Sequence, residues 1–146
     1  PSRPVSPVVF DLDFLTRALG IKPKEVWKCR DLFLVYENES QIREIRPDFN
    51  LLNQIRDYMG VIVTAPGEKV DFVSRFFAVN CGIPEDPVTG SSHCNLIPYW
   101  AKRFKKNELH ALQLSKRGGE LFCRDLGERV EISGRATLYL VGEIHI

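Results

Sequence analysis

The sequence predicts an α+β domain in which a curled, mostly antiparallel, barrel-like sheet wraps around one long central helix. Short apolar or alternating runs occupy the first half of the chain, as is typical of strands. One strongly apolar helical pattern lies past the middle, and alternating runs separated by glycine-containing turns follow it. Strands, then one long helix, then strands again indicate the α+β class, and 146 residues are enough for one compact domain.

The first third of the chain predicts an extended lead followed by short elements. Three prolines predict that residues 1–10 form a linker or crossover segment, which leaves residues 11–146 as a single domain. Asp11 is placed to cap a helix that ends at Gly20, and Asp48 is placed to start a second short helix. Alternating runs predict three antiparallel strands, at residues 25–30, 32–36 and 42–46.

The rest of the chain alternates strands with one helix. A β-branched run and an aromatic-rich run predict strands at residues 61–64 and 71–79. Apolar residues then recur at helical spacing after a polar loop: Leu96, Ile97, Trp100, Ala101 and Phe104. Pro98 lies inside this pattern and predicts a kink or a late regular start. Four further strands are predicted, at residues 109–114, 119–123, 129–132 and 136–146.

Composition excludes several classes of function. Twenty Lys and Arg against nineteen Asp and Glu give a net charge of +1, and the longest basic run, residues 102–106, fits a solvated helix end. We therefore expect no nucleic-acid partner. No apolar stretch reaches the roughly 18 residues of a membrane span, and the chain opens without a signal-peptide pattern. We expect a soluble, cytoplasmic protein with no membrane partner.

The cysteines and histidines do not have the spacing of a metal site. No C-x-x-C pair is present, and neither residue type is spaced as zinc ligands usually are. The residues concerned are Cys29, Cys81, Cys94 and Cys123 with His93, His110 and His145. We expect reduced thiols and no metal. The loop motif of nucleotide-binding enzymes, G-x-x-x-x-G-K-[ST], is also missing.

The chemistry-bearing feature is the polar loop that leads directly into the long helix, residues 82–93. A helix start offers free backbone N–H groups and a positive dipole end, and Gly90 allows a ligand to approach the backbone closely. Ser91 and Ser92 add hydroxyl donors, so the junction suits a carboxylate or a phosphate. Asp86 could act there as a general acid or base. Alternatively, Asp86 or Thr89 simply caps the helix.

Other interpretations of the same region remain open. Asp86, Ser91 and His93 are the residue types of a hydrolase triad, but the G-x-S-x-G elbow is missing. His93 could face a ligand or pack in the core. Cys81 and Cys94 bracket the loop and could form a two-thiol proton-transfer site. The turn around Arg117 could present a cation to the same anion, or could be a plain hairpin turn.

Several segments resemble the phenazine-biosynthesis-like (PhzF-like) isomerase family, whose relatives include diaminopimelate epimerase. They include D-F-V-S-R-F-F-A at residues 71–78, G-I-P-E-D-P-V-T-G-S at residues 82–91, and Q-L-S with R-G-G-E-L at residues 113–121. The resemblance implies a protein of two similar domains, each a curled sheet around a helix, with the active site in the cleft between them. It also implies cofactor-free proton transfer on a small carboxylate-bearing substrate.

The resemblance assigns roles to the loop residues. Asp86, Gly90 and Ser91 match the Asp and the Gly-Ser pair that the family's second domain contributes. With the residues of the junction and turn added, we expect Asp86 and Ser91 to be catalytic and Gly90, Ser91, Ser92, His93 and Arg117 to bind the substrate. It also makes Cys81 and Cys94 packing residues and the two-thiol alternative less favoured.

The resemblance covers only the second of the family's two domains. The family's catalytic Glu is expected in an absent N-terminal domain, and Glu85 is not its substitute. We therefore expect this piece to be nearly inactive without that domain. The alternative is a stand-alone half-domain that binds a small anion or a protein partner without catalysis. Two such copies could pair as a homodimer and rebuild a cleft.

Overall fold

The computed structural model describes residues 1–144, in which one mixed sheet of eight strands runs in chain order from edge to edge. The strands are β1 Ser6–Pro7, β2 Glu25–Lys28, β3 Leu32–Val35, β4 Val61–Pro66, β5 Phe72–Phe77, β6 Glu108–Gln113, β7 Gly119–Asp125 and β8 Val130–Ser133. Neighbours are antiparallel except for two parallel pairs, β3 with β4 and β5 with β6. In the described part of the chain β1 and β8 do not pair, so the sheet is open. The α+β class is confirmed, whereas the barrel-like closure is wrong.

The two parallel pairs explain where the helices lie. The helices are α1 Leu12–Leu19, α2 Glu39–Glu44, α3 Phe49–Leu52 and α4 Gly90–Phe104. Parallel neighbours cannot be joined by a tight hairpin and need a longer crossover. Helices α2 and α3 supply the crossover between β3 and β4, and α4 with its preceding loop supplies the one between β5 and β6. None of the helices in residues 1–144 combines the length and the apolar character needed to cross a membrane.

Strand alternation divides the core between the two faces of the sheet. On β3, Leu32 and Leu34 belong to the cluster that includes α1, α2 and α3, whereas Phe33 and Val35 belong to the cluster that includes α4. Trp100 is the largest fully buried side chain and lies in the α4 cluster. Helix α4 therefore packs against one face of an open sheet that has helices on both faces. The prediction of one long central helix is not confirmed in that form.

Local signals correctly predicted helices α1 and α3. The Asp11 carboxylate accepts hydrogen bonds from the N–H groups of Asp13 and Phe14 at 2.9 and 3.0 Å, and Gly20 ends α1 at φ 81°. Asp48 caps α3 as expected. Helix α4 is continuous from its first residue past Pro98, so a late start is wrong.

Two strand predictions failed. Residues 42–46 overlap helix α2, because the Asn38 side chain accepts a hydrogen bond from Gln41 N–H at 3.1 Å and Glu39 pairs with Arg43 one turn later. Residues 136–144 form no strand and are exposed, because no described strand pairs with them. The last two residues of that prediction, 145–146, lie outside the described part of the chain.

Candidate functional site

The candidate site is built around the first turn of α4. The first N–H groups of any helix have no partner within the helix, and the helix dipole makes that end positive. Thr89 occupies the N-cap position with extended backbone, but its side chain makes no capping hydrogen bond. The N–H groups of Gly90, Ser91 and Ser92 therefore have no side-chain cap, and Gly90 is exposed. Thr89 is thus the N-cap by position, but neither its side chain nor that of Asp86 makes a capping hydrogen bond.

Asp86 lies beside this helix start and is half-buried. The hydroxyl of Thr89 donates a short hydrogen bond to Asp86 Oδ2, and the backbone N–H of Asp86 donates to the carbonyl of Phe76 at 3.0 Å. In residues 1–144 no donor contacts the other carboxylate oxygen, Oδ1. Asp86 is thus held by one oxygen and by its backbone, with its second oxygen available for proton exchange.

Two side chains of the β6 end hold the loop in place. Gln113 Oε1 accepts from Thr89 N–H at 2.9 Å, while Gln113 Nε2 donates to Asp86 O at 2.7 Å and to Thr89 Oγ1 at 3.1 Å. Ser115 Oγ donates to the carbonyl of Pro87 at 2.7 Å. The specific role of Gln113 was missed, although its place on the apolar face of an alternating strand was a signal.

Glu85 has a structural partner. Arg75 Nε and Nη2 donate to the two Glu85 oxygens at 2.7 and 3.1 Å, and both side chains are largely buried. Arg75 Nη1 also donates to the carbonyls of Ile42 and Ile45 at 3.2 and 2.9 Å. This fork ties the loop to the end of α2. Glu85 is committed to that contact, in line with the expectation that it does not replace the family's catalytic Glu.

Ser91 is joined to a charged pair that sequence reasoning missed. Arg30 Nη2 donates to Ser91 Oγ at 3.0 Å and to Asp31 Oδ2 at 3.2 Å. Asp31 is fully buried, and desolvation raises the pKa of its carboxyl while the nearby Arg30 charge acts in the opposite direction. Arg30 and Ser91 are 61 positions apart, so no local pattern could have joined them.

Ser92 and His93 are placed differently from Ser91, because both are buried. Ser92 Oγ donates to Thr89 O at 2.9 Å, and His93 Nδ1 lies 2.7 Å from the same carbonyl. A carbonyl only accepts, so Nδ1 carries the imidazole proton. Burial lowers the pKa of His93 to about 4, which keeps the ring neutral. Their side chains face the protein, so the binding roles predicted for them would fall to backbone groups.

Arg117 lies across from the helix start. A groove of about 520 Å³ is lined by Gly90, Arg117 and Gly119 together with the first residues after β8. Gly119 is required here, because a Cβ at this position would lie 2.2 Å from Val88 Cγ2. The structure thus brings Gly90 and Arg117 to one groove. Asp86 and Ser91 flank the helix start without lining that groove.

The thiols and possible metal ligands complete the description of this region. Both cysteines were expected to be packing residues. Cys94 is half-buried, which agrees with that role, whereas Cys81 is exposed, which does not. Within residues 1–144, no three His, Cys, Asp or Glu side chains converge as a metal-ligand set.

Comparisons with known proteins give consistent matches. The family model described as phenazine biosynthesis-like protein, PhzC-PhzF, matches residues 12–142. An uncharacterised isomerase of Pseudomonas aeruginosa is 53% identical over 133 residues, which are 90% of this chain and 51% of that protein. One from Halalkalibacterium halodurans is 43% identical over 89% of this chain and 50% of its own length. The chain spans about half the length of these curated relatives.

Solved structures agree with the sequence matches. A PhzF-family protein of Enterococcus faecalis has a TM-score of 0.92 and 44% identity, covering 100% of this chain and 56% of that one. A structure described as a putative phenazine biosynthesis PhzC/PhzF protein, from Clostridium difficile, has a TM-score of 0.88 and 39% identity, with the same coverage.

Proposed function

The chain belongs to the phenazine biosynthesis-like (PhzC-PhzF) family, and on that premise we propose that it is one half of an isomerase that shifts a proton on a small carboxylate-bearing substrate. Relatives named as isomerases support the reaction class. The observation that carries the proposal is the uncapped start of α4 with Asp86 beside it. An anion site and an acid/base group therefore lie next to each other.

The substrate carboxylate binds at the first turn of α4. The N–H groups of Gly90 and Ser91 and the Ser91 hydroxyl donate to its oxygens, while the helix dipole favours its negative charge. A Cβ at position 90 would meet nothing within 4 Å, so the glycine leaves open space for a ligand. Arg117, across the groove from Gly90, adds a positive charge that favours an anion.

Asp86 exchanges the proton with the substrate carbon. Its Oδ2 is occupied by the Thr89 hydroxyl, so Oδ1 is the atom that takes or returns the proton. Gln113 keeps this geometry in the absence of substrate, because its Nε2 donates to Asp86 O and its Oε1 accepts from Thr89 N–H. A group that is already positioned needs little reorganisation during the reaction.

The chain acts together with a second half that supplies the opposite wall of the cleft. The matched relatives are about twice as long as the segment they share with this chain, which supports this part of the proposal. The partner acid in this proposal is a Glu of that second half, as expected from the family resemblance. A half-cleft leaves the bound carboxylate solvated on one side, so the chain alone is nearly inactive.

The test is solvent deuterium uptake into candidate carboxylate substrates, measured with the whole two-domain protein. Asp86→Asn should slow the exchange by about 10²-fold or more, because an amide cannot accept the substrate proton. Asp13→Asn is the matched control, since Asp13 is exposed and lies on α1, which packs on the opposite face of the sheet from α4. Exchange by the Asp86→Asn variant at the parent rate would remove Asp86 from the mechanism.

A second candidate is a stand-alone half-domain that binds a partner protein or a second copy without catalysis. Residues 138–141 expose four large apolar side chains, which favours a protein contact. Sedimentation velocity on the chain separates the two candidates. A stable dimer without exchange activity supports the second, and a monomer that gains activity only with its other half supports the first.

A further inference from the structure

We propose that Arg30 is a positioning residue that fixes the Ser91 hydroxyl as a hydrogen-bond donor toward the bound carboxylate. The proposal rests on the function proposed above and adds a residue to its binding site. Arg30 lies in the turn between β2 and β3, and its Nη2 is 3.0 Å from Ser91 Oγ. The contact therefore joins the sheet to the first turn of α4.

The direction of this hydrogen bond follows from chemistry. A guanidinium has only donors, so Ser91 Oγ is the acceptor. The hydroxyl hydrogen of Ser91 must then turn away from Arg30. Ser91 is only half-buried in the first turn of α4, so its hydroxyl hydrogen remains available to a ligand bound at that helix start. Arg30 thus converts a rotatable hydroxyl into a donor of set direction.

Asp31 holds Arg30 in this position. The Asp31 carboxylate is fully buried, and its Oδ2 accepts from the same Arg30 Nη2 at 3.2 Å. A buried carboxylate is costly without a charged partner, so it strongly restrains the guanidinium next to it. In residues 1–144 the Asp31 Oδ1 atom has no hydrogen-bond partner, and Arg30 favours the ionised carboxyl more than the second nearby cation, Arg3, does.

An ion pair alone does not account for this arrangement. Arg30 keeps 36% of its side-chain surface exposed while its partner is completely buried. The Nη2 atom that pairs with Asp31 also donates to Ser91 Oγ, a contact that the ion pair itself does not require. The shared nitrogen, bonded to both Asp31 and Ser91, links the buried charge to the helix start. Ser91 is therefore ordered before a ligand arrives, and ordering in advance lowers the cost of binding.

The experiment uses NMR on this chain and requires no knowledge of the natural substrate. The Hα–Hβ couplings of Ser91 report its side-chain rotamer, and backbone amide shifts of residues 90–92 report titration with benzoate as the probe. The variants are Arg30→Gln, Arg30→Lys, Ser91→Ala and the double variant Arg30→Gln/Ser91→Ala. Arg56→Gln is the matched control, because Arg56 is exposed. Arg30→Gln/Asp31→Asn is included in case Arg30→Gln alone does not fold with an unpaired Asp31.

The parent should show one Ser91 rotamer, and Arg30→Gln or Arg30→Gln/Asp31→Asn should show averaged couplings. Arg30→Gln should weaken benzoate binding about threefold to tenfold, and Arg30→Lys should restore part of the loss. Because Arg30 acts through Ser91, the double variant should bind no more weakly than Ser91→Ala.

Unchanged Ser91 couplings in the Arg30 variants would overturn the proposal, as would additive losses in the double variant. The coupling result is independent of any ligand. If benzoate fails to shift the signals of residues 90–92 in the parent, the proposed anion site fails, and the couplings still decide the role of Arg30.

Discussion

Two stretches without helix or strand behave in opposite ways. Residues 82–89 are held by hydrogen bonds to three side chains: Arg75 of β5, Gln113 of β6, and Ser115 just after β6. Residues 135–144 are exposed, and Arg135 forms an ion pair with Glu120 at 3.6 Å. Irregular backbone becomes a defined site where nearby elements supply the hydrogen bonds that a sheet or helix would otherwise provide.

The largest loss of stability should come from removing the Gln113 side chain, which makes three hydrogen bonds to the loop. Gln113→Ala leaves the buried Thr89 N–H without an acceptor and deletes two donated hydrogen bonds. We expect the free energy of unfolding to fall by about 3 kcal/mol, measured by urea denaturation. The matched control is Gln54→Ala at an exposed position, which should cost less than about 0.5 kcal/mol. Equal losses in the two variants would show that Gln113 does not hold the loop.

Arg75→Met tests the second side chain that holds the loop. It removes both hydrogen bonds to Glu85 and leaves that largely buried carboxylate without a charged partner. Because some solvent still reaches both groups, we expect a loss of about 2 to 3 kcal/mol rather than the full cost for a completely buried pair. Lys24→Met breaks an exposed ion pair with Glu37 and should cost less than about 1 kcal/mol. Urea denaturation compares the two, and a Lys24→Met loss as large as that of Arg75→Met would contradict this ranking.

His93, beneath the fastened loop, should make stability depend on pH. Its pKa is lowered to about 4 in the folded chain, whereas in the unfolded chain it stays near 6.5. Below pH 6.5 the unfolded state therefore binds a proton that the folded state does not, and stability falls as pH falls toward 4. We expect this group to cost about 2 kcal/mol between pH 7 and pH 5.

The pH measurement is urea unfolding at both pH values, in the parent and in His93→Gln. The loss between pH 7 and pH 5 should be smaller in His93→Gln. His110→Gln, at a partly exposed histidine, is the control. An identical pH dependence in the parent and His93→Gln would show that this ring is not the buried neutral group of the folded state.

The smallest change in the free energy of unfolding is expected for substitutions in the exposed residues 135–144. Leu138→Ser and Tyr139→Ser change side chains that are 80% and 98% exposed. Because neither is buried against the core, each should alter the free energy of unfolding of the chain by less than about 0.5 kcal/mol. A loss of 2 kcal/mol or more in urea denaturation would mean that this segment packs against the domain in solution.

The same contrast shows what sequence could and could not predict. Helix α1 was predictable because its signals are local: Asp11 caps one end and Gly20 terminates the other. The strand predicted at residues 42–46 is wrong because Ile42 and Ile45 are three positions apart, which is a helical spacing, and because Asn38 caps the helix one turn earlier. The strand predicted at residues 136–146 had the right residue types, but no described strand pairs with its first nine residues.

The site was predictable only in part, for the same reason. Gly90, Ser91 and Asp86 lie in one continuous loop, so their proximity follows from the chain itself. Gln113 and Arg30 are 24 and 61 positions from the groups they contact, and only the assembled sheet brings them there. The residues that form the first turn could be identified from sequence, whereas the residues that orient them could not.

The opening residues, predicted as a linker, are also held to the domain by hydrogen bonds. Ser2 N–H donates to Glu128 O at 2.9 Å, Arg3 N–H donates to Cys94 O at 2.8 Å, and Asn95 Nδ2, 92 positions away in the chain, donates to Arg3 O at 2.8 Å. Closing loops of this length costs entropy before any contact repays it, so we expect these bonds to form late in folding. Bonds that form after the rate-limiting barrier slow unfolding without hastening folding. We therefore expect the first three residues to lengthen the lifetime of the folded domain more than they speed its formation.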